Sequence, residues 1–389
     1  MFPGRFAVDS DTVGVDRRRF VKLAAMAGGA GPVTAPAPGA ERARPPVDFT
    51  GDGIPLTPGE YAALLARLTA SSGAGDEYSR GGAVAALEEQ FARLLGKEAA
   101  VFMPTGTLAN HLAVRALCGE KRRVVVQETS HLYNDSGDCA QQLSQLNLIP
   151  LAPGRAAFAR GEVERVLERT ATSRVATAVG AISIESPVRR QHGEVFDLDA
   201  MRQVSALARE RNIGLHLDGA RLFVAAAYSG RPLAEYTALF DTVYVSLWKC
   251  FNSGSGAILA GPKALLADMY QVRRMFGGAL WNAWPFAMVA AHYAEGYLER
   301  LTAAVRTSEN LFTALASVPG LELVRVPSGT SLCRLNLRDG NAARFRERLR
   351  TAGITLAEPD GAGFWLKVNE TAGTWPADGI IAAFRAALA

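Results

Sequence analysis

Ile213-Gly-Leu-His-Leu-Asp-Gly-Ala-Arg-Leu222 is the stretch that decides how this chain folds. An apolar run ends in a carboxylate, Asp218, and a Gly-Ala turn carries Arg221 directly after it. Read as a strand, it sends His216 and Asp218 to one face and Leu215 and Leu217 to the other, because strand side chains alternate. A carboxylate at the end of a buried strand is costly unless partnered, and the carboxyl ends of parallel strands are where open α/β sheets bind ligands. A helix cap or an ion pair with Arg221 is the structural alternative for Asp218.

Similar runs flank it. Ala99–Met103, RVVVQ, ATAVGAISIE and TVYVSL are rich in β-formers with few polar positions, and helical stretches such as LDAMRQVSALARERN separate them. Strands alternating with helices predict an α/β fold with a mostly parallel sheet covered on both faces. GAILAG follows TVYVSL too closely for a crossover helix, so that pair is expected to be antiparallel. Upstream, Tyr61–Thr69 and Ala83–Leu95 have helical spacing, with Gly96 as a stop, while ERARPPVDFTGDGIPLTPGE reads as linker. From about residue 300 a smaller unit is expected, with strands near ELVRV, SLCRLNL and GFWLKV and two helices. The chain therefore divides into a leader and linker (1–40), an N-terminal segment (41–80), a large domain (81–300) and a small C-terminal α/β domain (301–389).

Composition narrows the function. With 389 residues, 49% hydrophobic and 21% charged, the chain can bury a large core and is not a disordered polymer. Five basic and three acidic residues lie in residues 1–40, so the formal charge of +4 leaves the rest near neutral. No basic stripe interleaved with aromatics marks a nucleic-acid partner. Cys118, Cys139, Cys250 and Cys333 lie far apart without metal-ligand spacing, so free, packed thiols and no metal site are expected.

The start of the chain has its own signature. Asp16-Arg17-Arg18-Arg19-Phe20-Val21-Lys22 leads into LAAMAGGAGPVTAPAPGA, with no acidic residue between Asp16 and Glu41. A charged start, a moderately apolar stretch and a small-residue site at Ala35-Pro36-Ala37 read as an export signal of twin-arginine type, too weakly apolar for stable membrane insertion. The twin-arginine export machinery and a periplasmic location follow as expectations, with a cytoplasmic one if the signal is not used.

Three features carry chemistry. Thr105-Gly106-Thr107 opens a helix whose free N–H groups can hold an anion such as phosphate. Asp218 ends its strand. Lys249, one of only six lysines, stands between TVYVSL and the Gly/Ser-rich loop NSGSG. Each alone has a bland reading as a cap, an ion pair or a surface lysine. Together they match the needs of pyridoxal phosphate: an amine for the Schiff base, an acid for the pyridine nitrogen and a phosphate cradle. A strand-end pocket also desolvates the lysine and favours its nucleophilic neutral form.

GDEYSRGGAVAALEEQFARLLGKEAAVFMPTGTLANHLAV, ETSHLYNDSG, LHLDGARLFVAA and FDTVYVSLWK, in this order, resemble the threonine aldolase and aromatic amino acid β-eliminating lyase family over roughly residues 48–300. The resemblance implies the fold-type-I pyridoxal-phosphate transferase-like architecture, a mostly parallel seven-stranded sheet flanked by helices with a smaller C-terminal domain. By resemblance, Lys249 carries the cofactor and Asp218 pairs with its ring nitrogen. Gly106 and Thr107 hold the phosphate, and Arg221 contacts the cofactor hydroxyl or the substrate carboxylate. His131 stacks on the ring and takes part in proton transfer. Tyr78 reaches a neighbouring subunit's site, in a homodimer or homotetramer.

The departures concern the substrate. Where the family has Arg-Ser-Asp-Thr, this chain has Thr50-Gly51-Asp52-Gly53. GFWLKVNE, with Phe364 and Trp365, stands where a late arginine is expected, and Trp281 stands for another. Glu185-Ser186-Pro187-Val188 lacks the family's histidine. Losing bidentate arginine contacts weakens binding of an α-carboxylate unless Arg189, Arg190 or Arg334 replaces them. Trp281 and Trp365 are expected in core packing, or else lining an apolar pocket. The leading expectation is a lyase that cleaves a β-hydroxy-α-amino acid to glycine and an aldehyde. Another reaction of the same cofactor on an amine (β-elimination, transamination or racemisation) and a non-catalytic binding protein are the alternatives.

Overall fold

The computed structural model describes residues 45–71 and 75–389. The export-signal reading of residues 1–40 lies outside the described residues. Seven strands form the central sheet: β1 (Ala99–Met103), β2 (Arg123–Gln127), β3 (Asn147–Leu151), β4 (Val179–Glu185), β5 (Gly214–Asp218), β6 (Thr242–Ser246) and β7 (Ala257–Gly261). Their order is β1-β7-β6-β5-β4-β2-β3. Every neighbouring pair is parallel except those of β7, which is antiparallel to both β6 and β1. The segment between Ser246 and Ala257 is too short for a crossover, so the chain must turn back beside β6. Strands β4, β6 and β7 are buried at every position, as expected when both faces are covered.

The helices follow from their apolar spacing. Helices α1 (Pro58–Ser71), α2 (Gly82–Leu95) and α3 (Gly106–Cys118) precede or interrupt the first strands. In α2, Val84, Leu87, Phe91 and Leu95 form one buried stripe, and Gly96 ends the helix at φ 60°, a left-handed conformation that favours glycine. In α3, the Thr105 side chain accepts the Leu108 N–H at 3.2 Å as an N-cap. This helix packs across β4, β5, β6 and β7, which puts Asn110 over β5.

Two elements depart from the sequence reading. Strand β3 contains Pro150, which an edge position tolerates because no ladder hydrogen bond is needed on the outer side. The stretch read as linker instead contributes Val47–Asp48, paired in parallel with Ile354–Thr355 near the other end of the chain. The second sheet is antiparallel, ordered β10-β9-β8, from β8 (Leu321–Arg325), β9 (Leu332–Leu337) and β10 (Gly363–Lys367). Cys333, Leu335, Phe364 and Leu366 are buried on one of its faces, while Arg334, Trp365 and Lys367 alternate to the other. The four cysteines are free, with Cys139 only half-buried. Among the described residues no helix is long and apolar enough to cross a membrane.

Phe251 anchors the chain just beyond Lys249. Its ring meets Phe91, Phe223 and Tyr297 at centroid distances of 5.1, 5.0 and 4.9 Å. Phe251→Ala empties a site with no solvent exposure and is expected to cost about 3–5 kcal/mol. A lower denaturation midpoint by circular dichroism checks it.

Candidate active site

Lys249 does not end a strand as its sequence suggests. Strand β6 stops at Ser246 and the chain closes at once into a single helical turn, Leu247–Cys250, because Leu247 and Cys250 are buried on its inner side. That turn carries Lys249 to the carboxyl ends of β4, β5 and β6. There a cavity is lined by Lys249, Asp218, Arg221, His131, Glu185 and Tyr244. Four residues singled out in the sequence thus meet in one place.

Asp218 is buried and held through its side chain. Asn110 Nδ2 donates to Asp218 Oδ2 at 2.5 Å, and the Ala220 N–H donates to Oδ1 at 3.2 Å. Behind Asn110, its Oδ1 lies 2.9 Å from His216 Nε2, and His216 Nδ1 lies 2.8 Å from Thr242 Oγ1. Burial lowers the His216 pKa to about 4, so the ring is neutral. With the Asn110 carbonyl as acceptor, the neutral ring must carry its proton on Nε2 and accept from Thr242. The strand alternation that sends His216 and Asp218 to one face is what makes this chain of contacts possible.

Glu185 ends β4 beside Asp218, its register partner on β5. Its two oxygens accept the backbone N–H groups of His131 (2.6 Å) and Arg189 (2.8 Å), so one carboxylate fixes two cavity-lining segments. Burial, and then the neighbouring Asp218 charge, push its pKa up to about 7 against those hydrogen bonds. Burial, and then the Arg221 charge, lower the pKa of Lys249 toward the neutral amine.

Arg221 is gripped by an acid from a loop far away along the chain. Asp52 accepts from Arg221 Nε at 2.8 Å and Nη2 at 2.9 Å. Burial opposes ionisation of Asp52, but the Arg221 guanidinium overcomes it and holds the pKa at about 2. The loop bearing Asp52 is pinned at both ends. Asn369 Nδ2 donates to the Gly51 carbonyl at 2.9 Å, and the Ile54 N–H donates to Asn252 Oδ1 at 2.7 Å. Gly53 leaves no room for a Cβ, which would meet Asn252 Oδ1 and, at 2.7 Å, the Lys249 carbonyl.

The residues fit a phosphorylated, ring-bearing cofactor. Gly106 begins α3 with its backbone against the Tyr244 hydroxyl, where a Cβ would collide, and Thr107 follows in the first turn. Ser246 Oγ, three residues before Lys249, is buried without a well-formed hydrogen bond, near the Tyr244 hydroxyl. A helix N-terminus, a hydroxyl in want of an acceptor, a desolvated amine and a buried acid together suit pyridoxal phosphate.

Other sequence expectations are redirected. Tyr78 is not part of the Lys249 cavity within one chain; it stands edge-on to Trp281 at 4.7 Å, with Arg274 over its ring at 4.4 Å. Trp281 is 59% exposed and so is not core packing. Trp365 is half-buried and stacks on His192 at 4.3 Å rather than entering the core. Arg189 lines the cavity, yet its guanidinium and that of Arg190 both bind Asp135, at 2.5 and 2.7 Å. Arg334 binds Asp360 at 2.9 Å. The sequence signal for Ser246 was its spacing from Lys249, and for Glu185 its place at a strand end. Nothing local marked Asn110 or Asp52.

Comparison with known proteins defines the class. The profile of the beta-eliminating lyase family matches residues 57–335, and the chain belongs to that family. It is 28% identical over 322 residues to the probable low-specificity L-threonine aldolase of Schizosaccharomyces pombe, spanning 82% of this chain and 83% of that one. It is 26% identical over 299 residues to the low specificity L-threonine aldolase of Escherichia coli K12, spanning 76% and 86%. A crystal structure from Exiguobacterium sp. 255-15, provisionally assigned as an aromatic amino acid beta-eliminating lyase/threonine aldolase, superposes with a TM-score of 0.72. It is 27% identical and covers 88% of this chain and 98% of that one. The protein is a pyridoxal-phosphate-dependent lyase of fold type I.

A pH prediction follows from Glu185. Its folded pKa lies above its ordinary 4.5, so between about pH 4.5 and 7 the folded state binds the extra proton. In the cofactor-free protein this group's contribution to stability therefore falls as pH rises through that window. Glu185→Gln should flatten the change between pH 4.5 and 7, measured by urea midpoints at successive pH values.

Proposed function

We propose that the protein cleaves the Cα–Cβ bond of a β-hydroxy-α-amino acid, releasing glycine and an aldehyde. The observation that carries this reading is the meeting of Lys249, Asp218, His131 and Arg221 around one cavity at the strand ends. When bound, the cofactor supplies an electron sink for the pair left on Cα. Lys249, desolvated, is the amine that holds it, and Asp218 is the acid kept in place for its ring nitrogen by Asn110 and Ala220. Gly106, Thr107 and Ser246 are the residues for its phosphate.

His131 receives the β-hydroxyl proton as the Cα–Cβ bond breaks, and Cα takes up a proton to leave as glycine. Glu185 fixes His131 by its backbone N–H, so the imidazole is presented from a rigid segment. Arg221, oriented by Asp52, faces the cavity with its remaining donors. Beside Lys249 a second, open cavity of about 290 Å³, lined in part by Ile54, Pro55, Leu56, Tyr61 and Trp248, suits an apolar or aromatic side chain on the β-carbon.

Two broader readings accompany the reaction. The Arg17-Arg18 signal supports export as a folded, cofactor-loaded chain to the periplasm. The position of Tyr78 away from its own Lys249 cavity supports a homodimer or homotetramer in which it serves a neighbouring site.

Incubating the loaded protein with β-hydroxy-α-amino acids, phenylserine included, should give glycine and aldehyde in equal amounts. Ammonia with a keto acid, or the opposite enantiomer, would overturn the cleavage reading. Lys249→Ala should remove the visible absorbance of the loaded protein. His131→Phe should keep that absorbance and lower kcat about 10²- to 10⁴-fold.

A further inference from the structure

We propose that Lys367 recognises the substrate's carboxylate, an assignment that rests on reading the Lys249 cavity as an amino-acid site. The arginines considered for the carboxylate already hold the chain's own acids. Arg189 and Arg190 share Asp135, and Arg334 holds Asp360. Arg221 binds Asp52 through two hydrogen bonds, with the side chains only 11% and 7% exposed. Separating that pair would leave two buried charges unpaired, so an incoming ligand does not displace Asp52 from Arg221.

Lys367 is held differently. Its ammonium lies 3.5 Å from Asp52 Oδ1, the same oxygen that Arg221 Nε contacts, and its side chain is 22% exposed. At that distance the contact is an ion pair without a hydrogen bond, and the ammonium makes no other polar contact among the described residues. It carries three donors. Strand β10 fixes where they point: Phe364 and Leu366 face the core, so Lys367 projects from the opposite face toward Asp52 and Arg221.

Local charge favours an anion at this trio. Arg221 and Lys367 bring two positive charges against the one negative charge of Asp52, while Asp218 and Glu185 act on Lys249 from the strand ends. An α-carboxylate supplies the single negative charge that balances the trio. It would take donors from Lys367 and from the Arg221 N–H groups that Asp52 leaves free, those of Nη1 and the second one of Nη2. The selected ligand class is an α-amino acid over a simple amine.

The test uses the full cofactor-loaded chain with glycine and methylamine as probes, their binding followed by the change in cofactor absorbance. Lys367→Met should weaken glycine binding about 10- to 100-fold, the range of a hydrogen bond to a charged group, and leave methylamine within about 3-fold. Lys367→Arg should recover most of the glycine affinity, and Lys367→Gln should fall between. Equal weakening of both probes would mark Lys367 as a structural partner of Asp52 and overturn the proposal; so would no change in either. The two readings separate cleanly. Lys367-dependent glycine binding without aldehyde release from any β-hydroxy amino acid upholds the carboxylate assignment and removes the cleavage reaction. Cleavage by Lys367→Met with an unchanged KM does the reverse.

Discussion

Burial of the Asp218 carboxylate is the constraint around which this molecule is organised. A negative charge at the end of a fully covered strand must be met by donors, and the chain meets it with Asn110 from α3 and a backbone N–H from the turn after β5. Asn110 in turn needs a donor, which is His216, and His216 needs Thr242. Three elements, α3, β5 and β6, are locked in register by one acid. Because β4 runs beside β5, the same geometry brings Glu185 within reach of that charge, and the two acids share one desolvated space. Lys249 enters it as a base with a lowered affinity for protons.

Much of this was legible in the sequence, and for a physical reason. Buried parallel strands are uninterrupted apolar runs, so β1, β2, β4, β5 and β6 stand out between helical stretches. The short connection between TVYVSL and GAILAG leaves an antiparallel return as the only geometry. Lys249 is conspicuous in a chain that otherwise writes its positive charge as arginine. Asp218 and Arg221 are conspicuous because a strand that ends in charge requires a partner.

What was not legible depends on contacts between distant residues. Asp52 reaches Arg221 across 169 positions of sequence, and nothing in Thr-Gly-Asp-Gly announces it. Asn110 occupies an ordinary helix position until β5 is packed beneath it. Pro150 hides β3 because proline argues against a strand until its edge position is known. Trp281 and Trp365 have the composition of a core and the placement of a surface and a half-buried stack, which hydrophobicity alone does not distinguish. Arg189, Arg190, Arg221 and Arg334 resist local reading too, since the role of each is fixed by the acid it finds.

The pairing of Val47–Asp48 with Ile354–Thr355 has a consequence for the order of assembly. The loop that carries Asp52 is made early in synthesis, yet the strand and the Asn369 side chain that pin it emerge some 300 residues later. Asp218 and Lys249 can find their places once the central sheet has formed, while the wall built from Asp52 and Lys367 waits for the strand Gly363–Lys367. A nascent chain on the ribosome would therefore hold a reactive lysine before it holds a finished selectivity wall. The residues placed for chemistry can thus assemble before the Asp52–Lys367 wall closes beside them.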